Sequence, residues 1–198
     1  MILKASKEAL KEAVEILKKG GIIVAPTDTL YGILADATNE EAVKRLYKIR
    51  RPSGKPFLVL LPDESWLEKL CLDVKEEHKK LLKVEGLTLV FRKTCDKLDY
   101  VSKGTLAVRL PQKGFIRDLL SELKKPVVAP SVNPEGKKPA ESVEEAYNYF
   151  GNKVDLYIDA GVIKGEPSTI LDLTEGVKIL REGKVKKEEI EKILNRKL

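Results

Sequence analysis

Short runs of valine, isoleucine and leucine recur along this chain between stretches whose apolar residues follow helical spacing. Such runs suit covered strands, whereas apolar residues three or four positions apart form one face of a helix. The runs predict strands at 22–25, 57–61, 87–91, 106–110, 127–130, 156–158, 169–173 and 177–180. The helical spacing predicts helices at 6–19, 63–70, 73–83, 114–124 and 186–197, and two more that begin with capping boxes at Thr38 and Ser142. Ser6 is predicted to cap the first helix and Gly20 to end it.

The predicted strands and helices alternate irregularly, because the last three strands are not separated by helices. This order favours an α/β fold with a mixed sheet over a strictly doubly wound parallel sheet. A length of 198 residues suits one domain or at most two small ones, and no linker or internal repeat divides the chain. We therefore predict a single domain over residues 1–198.

Composition restricts where the protein works. No apolar run approaches the roughly 20 residues that a membrane span needs, and the N-terminus lacks an apolar signal core. We therefore expect a cytoplasmic protein without a membrane partner. Cys71 and Cys95 are isolated and His78 is the single histidine, so the sequence predicts neither a disulfide nor a zinc site, and it places His78 in a helix.

The net charge of +6 and the pI of about 9.1 suit an anionic ligand such as a nucleotide or RNA. A lysine-rich, solvated surface would give the same charge balance, because the lysines are spread along the whole chain. Abundant lysine and glutamate with a single glutamine, Gln112, resemble the composition of proteins from hot environments.

One stretch, 22–32, joins a predicted strand directly to a set of polar residues. Pro26 cannot donate to a β-ladder, so pairing is expected to stop there, and Thr27, Asp28, Thr29 and Tyr31 follow. In open α/β sheets ligands bind at the carboxyl ends of strands. The alternative is a polar turn that leads from a strand into a helix.

Phosphate-binding loops of the usual kinds are absent from this sequence. It contains no GxxxxGK[ST] and no GxGxxG, and no GxSxG nucleophile motif either. Any phosphate would therefore be held by separate arginine, lysine and hydroxyl groups. Arg50, Arg51 and Lys55 form a basic cluster before the strand at 57–61.

Arg109 lies inside an otherwise apolar strand, where a guanidinium must be paired or face a ligand. Its two-pronged geometry suits a carboxylate. The alternative is an internal pair between Arg109 and an aspartate that serves only the fold.

Several segments, in this order, resemble one family. These are Pro26-Thr27-Asp28-Thr29-Leu30-Tyr31-Gly32 (PT(E/D)TxYGL), Lys48-Ile49-Arg50-Arg51-Pro52 (KxRP), 87–90 (PLTLV), 105–111 (TxAVRxP), 126–133 (PIAAPSAN), 159–161 with 167–170 (DGG…ESTI) and 179–183 (LLRPG). Together they resemble the YrdC/Sua5 family, the threonylcarbamoyl-AMP synthases, over about residues 8–185, in the short form that consists of the YrdC domain alone.

Two segments depart from that pattern. The KxRP segment is one residue shorter, so Arg50 or Lys48 stands in for its lysine and Arg51 is its arginine. Asn133 is followed by a charged segment, 134–139, instead of a serine- and proline-rich loop, which leaves the nucleotide contacts of 134–140 open.

The resemblance implies a YrdC-like α/β fold, a twisted mixed sheet with helices on both faces and a concave basic cleft. It implies an L-threonylcarbamoyladenylate synthase, a nucleotidyltransferase that converts L-threonine, bicarbonate and ATP into threonylcarbamoyl-AMP and pyrophosphate. The product would serve N6-threonylcarbamoyladenosine (t6A) modification of tRNA through a partner transferase complex. ATP would enter with Mg²⁺ as a substrate, and no tightly bound cofactor or protein-built metal site is implied.

The resemblance also assigns roles to residues. The implied threonine-binding residues are Thr27, Arg109 and Ser168. The implied catalytic residues, which meet the phosphates, are Arg50, Arg51 and Lys48. The implied ATP-binding residues are Arg50, Arg51, Lys55, Thr105, Ser131, Asn133 and Arg181.

A binding module is the rival class, because a basic concave surface could hold double-stranded RNA or tRNA through its phosphates without catalysis. Aromatic residues make up only 6% of the chain, which disfavours stacking on single strands. A related carbamoyl-adenylate chemistry with another amine or acyl acceptor is a third reading of the same residues.

Overall fold

A computed structural model describes all 198 residues of the chain as a mixed α/β fold. The eleven strands are β1 Ile2–Lys4, β2 Ile23–Pro26, β3 Tyr31–Asp36, β4 Val59–Leu60, β5 Leu72–Asp73, β6 Leu87–Lys93, β7 Thr105–Arg109, β8 Val127–Val128, β9 Leu156–Asp159, β10 Thr169–Asp172 and β11 Lys178–Arg181. The six α-helices are α1 Lys7–Lys18, α2 Glu40–Arg50, α3 Ser65–Lys69, α4 Gly114–Leu123, α5 Val143–Phe150 and α6 Lys187–Leu194. Short 3₁₀ helices cover Glu76–Lys83 and Gly151–Lys153.

The strands form one mixed sheet in the order β1-β9-β2-β3-β8-β4-β7-β6-β10-β11, with β5 paired to β6 outside this path. Neighbours β1/β9, β2/β9, β4/β7 and β6/β10 are parallel, and the other pairs are antiparallel. The predicted mixed sheet is thereby confirmed, whereas a strictly parallel arrangement is absent.

Side-chain capping sets the helix starts. The N–H groups of Ala9 and Glu145 donate to the hydroxyls of Ser6 (3.1 Å) and Ser142 (3.2 Å), as predicted. The prediction for α2 was wrong by one residue. Asn39 is its cap, and its Oδ1 accepts from the N–H of Ala42 (3.0 Å), because the hydroxyl of Thr38 instead donates to Asp36.

The stretch after Pro26 forms the turn of a β-hairpin. The alternative prediction, a turn that leads from a strand into a helix, was therefore wrong. The backbone reverses over 27–30 and returns as β3, with Pro26 paired to Tyr31, so pairing also runs one residue further than expected. The sequence patterns missed β1, β3 and β5, and β4 and β8 are shorter than predicted. The helix expected at 73–83 is a 3₁₀ helix over Glu76–Lys83 that follows β5.

Two apolar clusters lie on the two faces of the sheet. The larger one takes residues from most strands and packs against α2, α5 and α6. The smaller one joins α1 and α4 to strands β2, β3, β4, β8 and β9, and it contains no residue of β6, β7, β10 or β11. Helices therefore lie on both faces, but on the α1/α4 side they cover only about half of the sheet.

Cys71 and Cys95 form a disulfide, with their Cα atoms 5.8 Å apart, so the expectation that no disulfide forms was wrong. The physical reason is strand pairing. Leu72 of β5 pairs with Lys93 of β6, which brings the flanking cysteines together across this short ladder. The N–H of Thr94 also donates to the carbonyl of Cys71 (2.9 Å).

His78 lies in the 3₁₀ helix, so its predicted place in a helix is confirmed, and it is fully buried at 2% exposed. None of the helices combines the length and apolar character that crossing a bilayer requires.

Candidate functional site

A cleft lies on the half of the sheet that α1 and α4 leave uncovered. The strand register places the residues of its floor side by side. Arg109 at the end of β7 lies level with the first residues of β6, where Thr88 pairs with Ile170 of β10, and Ile170 pairs in turn with Arg181 of β11. All four residues line the cleft. The cleft has a volume of about 230 Å³.

The lining of the cleft is polar and carries charge of one sign. Its eighteen residues include three arginines and no acidic residue. Hydroxyl groups come from Thr27, Thr29, Thr88, Ser131 and Ser168. Such a set of donors without a lining carboxylate fits an anion.

Arg109 stands at the centre of a buried network and is 3% exposed. Its Nε donates to Oδ2 of Asp28 (2.8 Å), Nη1 to the hydroxyl of Thr88 (3.0 Å) and Nη2 to the hydroxyl of Thr29 (3.4 Å). The hydroxyls of Thr88 and Ser168 are 2.7 Å apart, which extends the network to β10. The internal aspartate of the alternative reading is therefore present, and the guanidinium also lines the cleft.

Arg181 closes the network on the outer strand. Its Nη2 and Nε donate to the carbonyl of Ser168 (2.7 and 3.2 Å). Desolvation in the cleft, followed by the nearby positive charge of Arg109, lowers the pKa of Arg181. Arg181 thus contacts Ser168 directly, and Arg109 reaches it through the hydroxyl of Thr88. The single carboxylate bonded to this pair of arginines is Asp28, at Arg109.

Arg50 is 2% exposed and has no carboxylate partner. Its Nε donates to the carbonyl of Ser131 (2.7 Å), and Nη2 reaches the side-chain oxygens of Ser131 and Asn133 (both 3.4 Å). Nη1 is buried without a hydrogen-bond partner. Burial, with a smaller contribution from the charge of Arg51, lowers the pKa of Arg50 to about 10.

Arg51 belongs to the loop between α2 and β4 and lines the cleft. Its Nη1 donates to the carbonyl of Pro56 (2.9 Å), and the guanidinium lies 5.2 Å from the ring centroid of Phe57. Burial lowers the pKa of Arg51, while the charge of Glu135 acts in the opposite direction. The carboxylate of Glu135 also accepts from the N–H of Ser53 (3.2 Å), which ties this loop to the segment after Asn133.

The hairpin turn at 27–30 is held by its own hydroxyl. The Oγ1 of Thr27 donates to the carbonyl of Leu30 (2.5 Å) and accepts from the N–H of Thr29 (3.2 Å). The buried hydroxyl of Tyr31 donates to the carbonyl of Gly161 (2.7 Å) and accepts from the N–H of Ala160 (2.8 Å). The first residue of β3 therefore fixes the start of the connection from β9 to β10.

The structure gathers part of the predicted site in the cleft. The lining contains Thr27, Arg51, Arg109, Ser131, Ser168 and Arg181. Arg50 and Asn133 are buried behind Ser131. Lys48 and Lys55 are exposed outside the lining, and Thr105 lies at the opposite end of β7 from Arg109.

Sequence reasoning missed Thr88 as a site residue and assigned no role to Asp28 and Thr29. Thr88 carried a signal, since it is a hydroxyl residue inside the apolar run 87–91. Asp28 and Thr29 lay within the polar turn, but nothing in their spacing pointed to Arg109, which is 81 residues from Asp28.

The fold and the cleft define a mixed α/β protein whose open sheet face holds a cleft lined by arginines and hydroxyl groups. A family model for Sua5, YciO and YrdC, described as telomere recombination, matches residues 15–183. The chain belongs to this Sua5/YciO/YrdC family, and the resemblance of its motifs is confirmed.

Relatives and a solved structure agree with this assignment. A threonylcarbamoyl-AMP synthase of Pyrococcus abyssi is 33% identical over 93% of this chain and 57% of its own length. A putative threonylcarbamoyl-AMP synthase of Methanocaldococcus jannaschii is 35% identical over 92% of this chain and 91% of its own length. The structure of P. abyssi Sua5 complexed with L-threonine matches 98% of this chain and 60% of that protein at 30% identity, with a TM-score of 0.91. The chain thus spans about three fifths of the P. abyssi protein.

Proposed function

We propose that this protein is an L-threonylcarbamoyladenylate synthase. It makes threonylcarbamoyl-AMP, pyrophosphate and water from L-threonine, bicarbonate and ATP. Two relatives support this proposal. The P. abyssi relative is named threonylcarbamoyl-AMP synthase, and the M. jannaschii relative is named putative threonylcarbamoyl-AMP synthase. The P. abyssi structure was determined with L-threonine, which supports the same amino acid as a substrate here.

The observation that carries the proposal is the unbalanced positive charge of the cleft. Three arginines line it without a lining acid, and Arg50 is buried behind it without a carboxylate. A buried guanidinium is costly unless it is paired, so Arg50 in particular calls for an anionic ligand nearby. Threonine supplies a carboxylate, and ATP supplies phosphates.

In this proposal threonine occupies the side of the cleft built by β6, β7 and β10. Arg109 binds its carboxylate, and hydroxyls of Thr27 and Ser168 stand beside the same small ligand. The neutral amino group combines with bicarbonate to form a carbamate and water. The carbamate oxygen then attacks the α-phosphorus of ATP, and pyrophosphate leaves.

ATP would lie along the opposite side, where Arg50, Arg51 and Ser131 meet. Negative charge on the transferring phosphate would be stabilised by these fixed guanidinium groups, so catalysis rests on positioning and electrostatics. Asn133 and Arg181 would complete the nucleotide side. The exposed Lys48 and Lys55 and the half-buried Thr105 would join only from outside the present lining. Mg²⁺ would arrive with ATP. The product would pass to a transferase complex for t6A modification of tRNA.

The test is product formation by the purified protein with Mg-ATP, L-threonine and bicarbonate. Mass spectrometry should detect threonylcarbamoyl-AMP, and pyrophosphate release should require threonine and bicarbonate together. Reactions that lack either compound are the controls. A folded protein that forms no adenylate would contradict the proposal, and release driven by a different amine would indicate a related carbamoyl-adenylate chemistry.

The charge of the cleft also fits the second candidate, a module that binds double-stranded RNA or tRNA through phosphates. That function predicts salt-sensitive RNA binding without any adenylate. Filter binding at two salt concentrations, run beside the product assay, separates the two candidates.

A further inference from the structure

The guanidinium of Arg109 is held on one side by an aspartate that does not itself line the cleft. Nε donates to Oδ2 of Asp28 at 2.8 Å, and the two side chains are 3% and 1% exposed. The terminal nitrogens point to hydroxyls of Thr88 and Thr29, which both line the cleft. Asp28 therefore stands behind the guanidinium, and the ligand side is formed by Nη1 and Nη2.

The aspartate uses only one of its two oxygens. Oδ1 of Asp28 is buried without a hydrogen-bond partner, so the pair is a single contact through Nε and not a fork of two parallel bonds. A two-pronged pair would also occupy a terminal nitrogen. The single contact fixes the plane of the guanidinium while it leaves both terminal nitrogens to contacts on the cleft side.

The backbone of Asp28 is itself fixed. The turn is closed by the hydroxyl of Thr27 on the carbonyl of Leu30, and Nζ of Lys184 donates to the carbonyl of Asp28 (3.0 Å). Lys184 lies between β11 and α6, so the turn is held from within and from the far end of the chain. A carboxylate anchored in this way can impose an orientation on Arg109.

We propose that Asp28 is the positioning residue for Arg109 and thereby sets the affinity of the cleft for the carboxylate of the amino-acid substrate. The proposal rests on the function proposed above. It assigns Asp28 no contact with the substrate and no proton transfer. Its effect is confined to the amino-acid side, because Arg50 and Arg51 bind their own partners without Asp28.

The test compares Asp28→Asn and Asp28→Glu with wild-type protein. Asn keeps the shape but removes the charge, and Glu keeps the charge but displaces it by one methylene. Each should raise KM for threonine by about tenfold or more, with kcat and KM for ATP within about twofold. Calorimetric titration with threonine should show the same loss. In an Arg109→Lys background, Asp28→Asn should add little further loss, because the residue acts through Arg109.

Asp36→Asn is the matched control. Asp36 is also a buried aspartate, but it accepts hydrogen bonds from Thr38, lies 3.6 Å from Nζ of Lys125 and is outside the cleft lining. It should lower the melting temperature and leave KM for threonine unchanged.

Unchanged threonine KM in either folded Asp28 variant would overturn the proposal, as would a variant that only melts earlier or loses kcat. Asp28→Glu retains the buried ion pair and provides this measurement if Asp28→Asn does not fold. A wild-type protein that makes no adenylate would instead contradict the proposed function, so the two failures are distinguishable.

Discussion

Arg50 and Arg109 are both buried guanidinium groups, but their hydrogen-bond partners differ. Arg109 has a carboxylate at Nε, whereas Arg50 has only neutral oxygens and one nitrogen without a partner. A lowered pKa of about 10 still leaves Arg50 charged at neutral pH. Its charge therefore remains without a carboxylate partner directly behind Ser131, which lines the cleft.

We predict that Arg51→Ala and Arg50→Ala weaken the use of ATP more than the binding of threonine. Loss of one charge-assisted phosphate contact should cost about 1.5–3 kcal/mol. Steady-state kinetics with varied ATP and varied threonine measure the two effects separately. Lys44→Ala is the control on the same helix, because Lys44 is exposed and pairs with Glu40.

Wild-type kinetics in both variants would contradict the phosphate role and move it to another cation such as Lys55. A lower melting temperature of Arg50→Ala alone is compatible with the prediction, since Arg50 also binds the carbonyl of Ser131.

The sequence identified side chains that are unusual for their position, but it did not identify the residues that they contact. Arg109 stood out as a charge in an apolar strand, yet its aspartate is 81 residues away in sequence. Only the pairing of strands across the sheet brings the two together. Hydrophobic patterns predict strands and faces, and carry no information on which distant side chain completes a pair.

At the scale of elements, the centre of the sheet was the hardest part to predict. β3 is buried along its whole length and contains a glycine, so it lacks the alternation by which a half-exposed strand is recognised. The capped helices α1 and α5 were predictable because their capping residues and apolar stripes are local features.

The disulfide gives a prediction at the same scale. Cys71 and Cys95 close a loop with a sequence separation of 24, which should stabilise the protein by about 3.5 kcal/mol through the entropy of the unfolded chain. A Cys71→Ser/Cys95→Ser double variant should therefore unfold at lower urea than the oxidised protein. Reductant should shift the wild type toward the variant and leave the variant unchanged. Equal unfolding midpoints in oxidised wild type and variant would contradict this stabilisation.

Across the whole molecule, apolar packing is unequal on the two faces of the sheet. One cluster extends under most strands, while the other stops before β7. The mixed sheet, helices on both faces and the family were predicted from sequence. The position of the cleft on an open face was not, because the rule that places ligands at carboxyl ends of strands ignores which part of a sheet the helices leave free.

The buried His78 predicts how global stability depends on pH. Burial lowers its pKa below the ordinary value of 6.5, with the charge of Glu77 acting against the shift. Below about pH 6.5 the unfolded chain then binds more protons than the native protein, so stability falls as the pH decreases. Urea unfolding at about pH 7.5 and about pH 5.5 should show a larger loss for wild type than for His78→Phe. An equal loss in the two proteins would show that acidic groups elsewhere account for the whole effect.

β11, which carries Arg181 to the cleft, is also an outer strand of the sheet. An outer strand exposes unpaired amides and carbonyls, to which a second copy could add a strand. β11 is only four residues long and begins and ends with a cation, Lys178 and Arg181. Antiparallel addition of another β11 would bring these cations face to face. The strand that carries Arg181 to the cleft therefore also disfavours pairing with the β11 of a second copy.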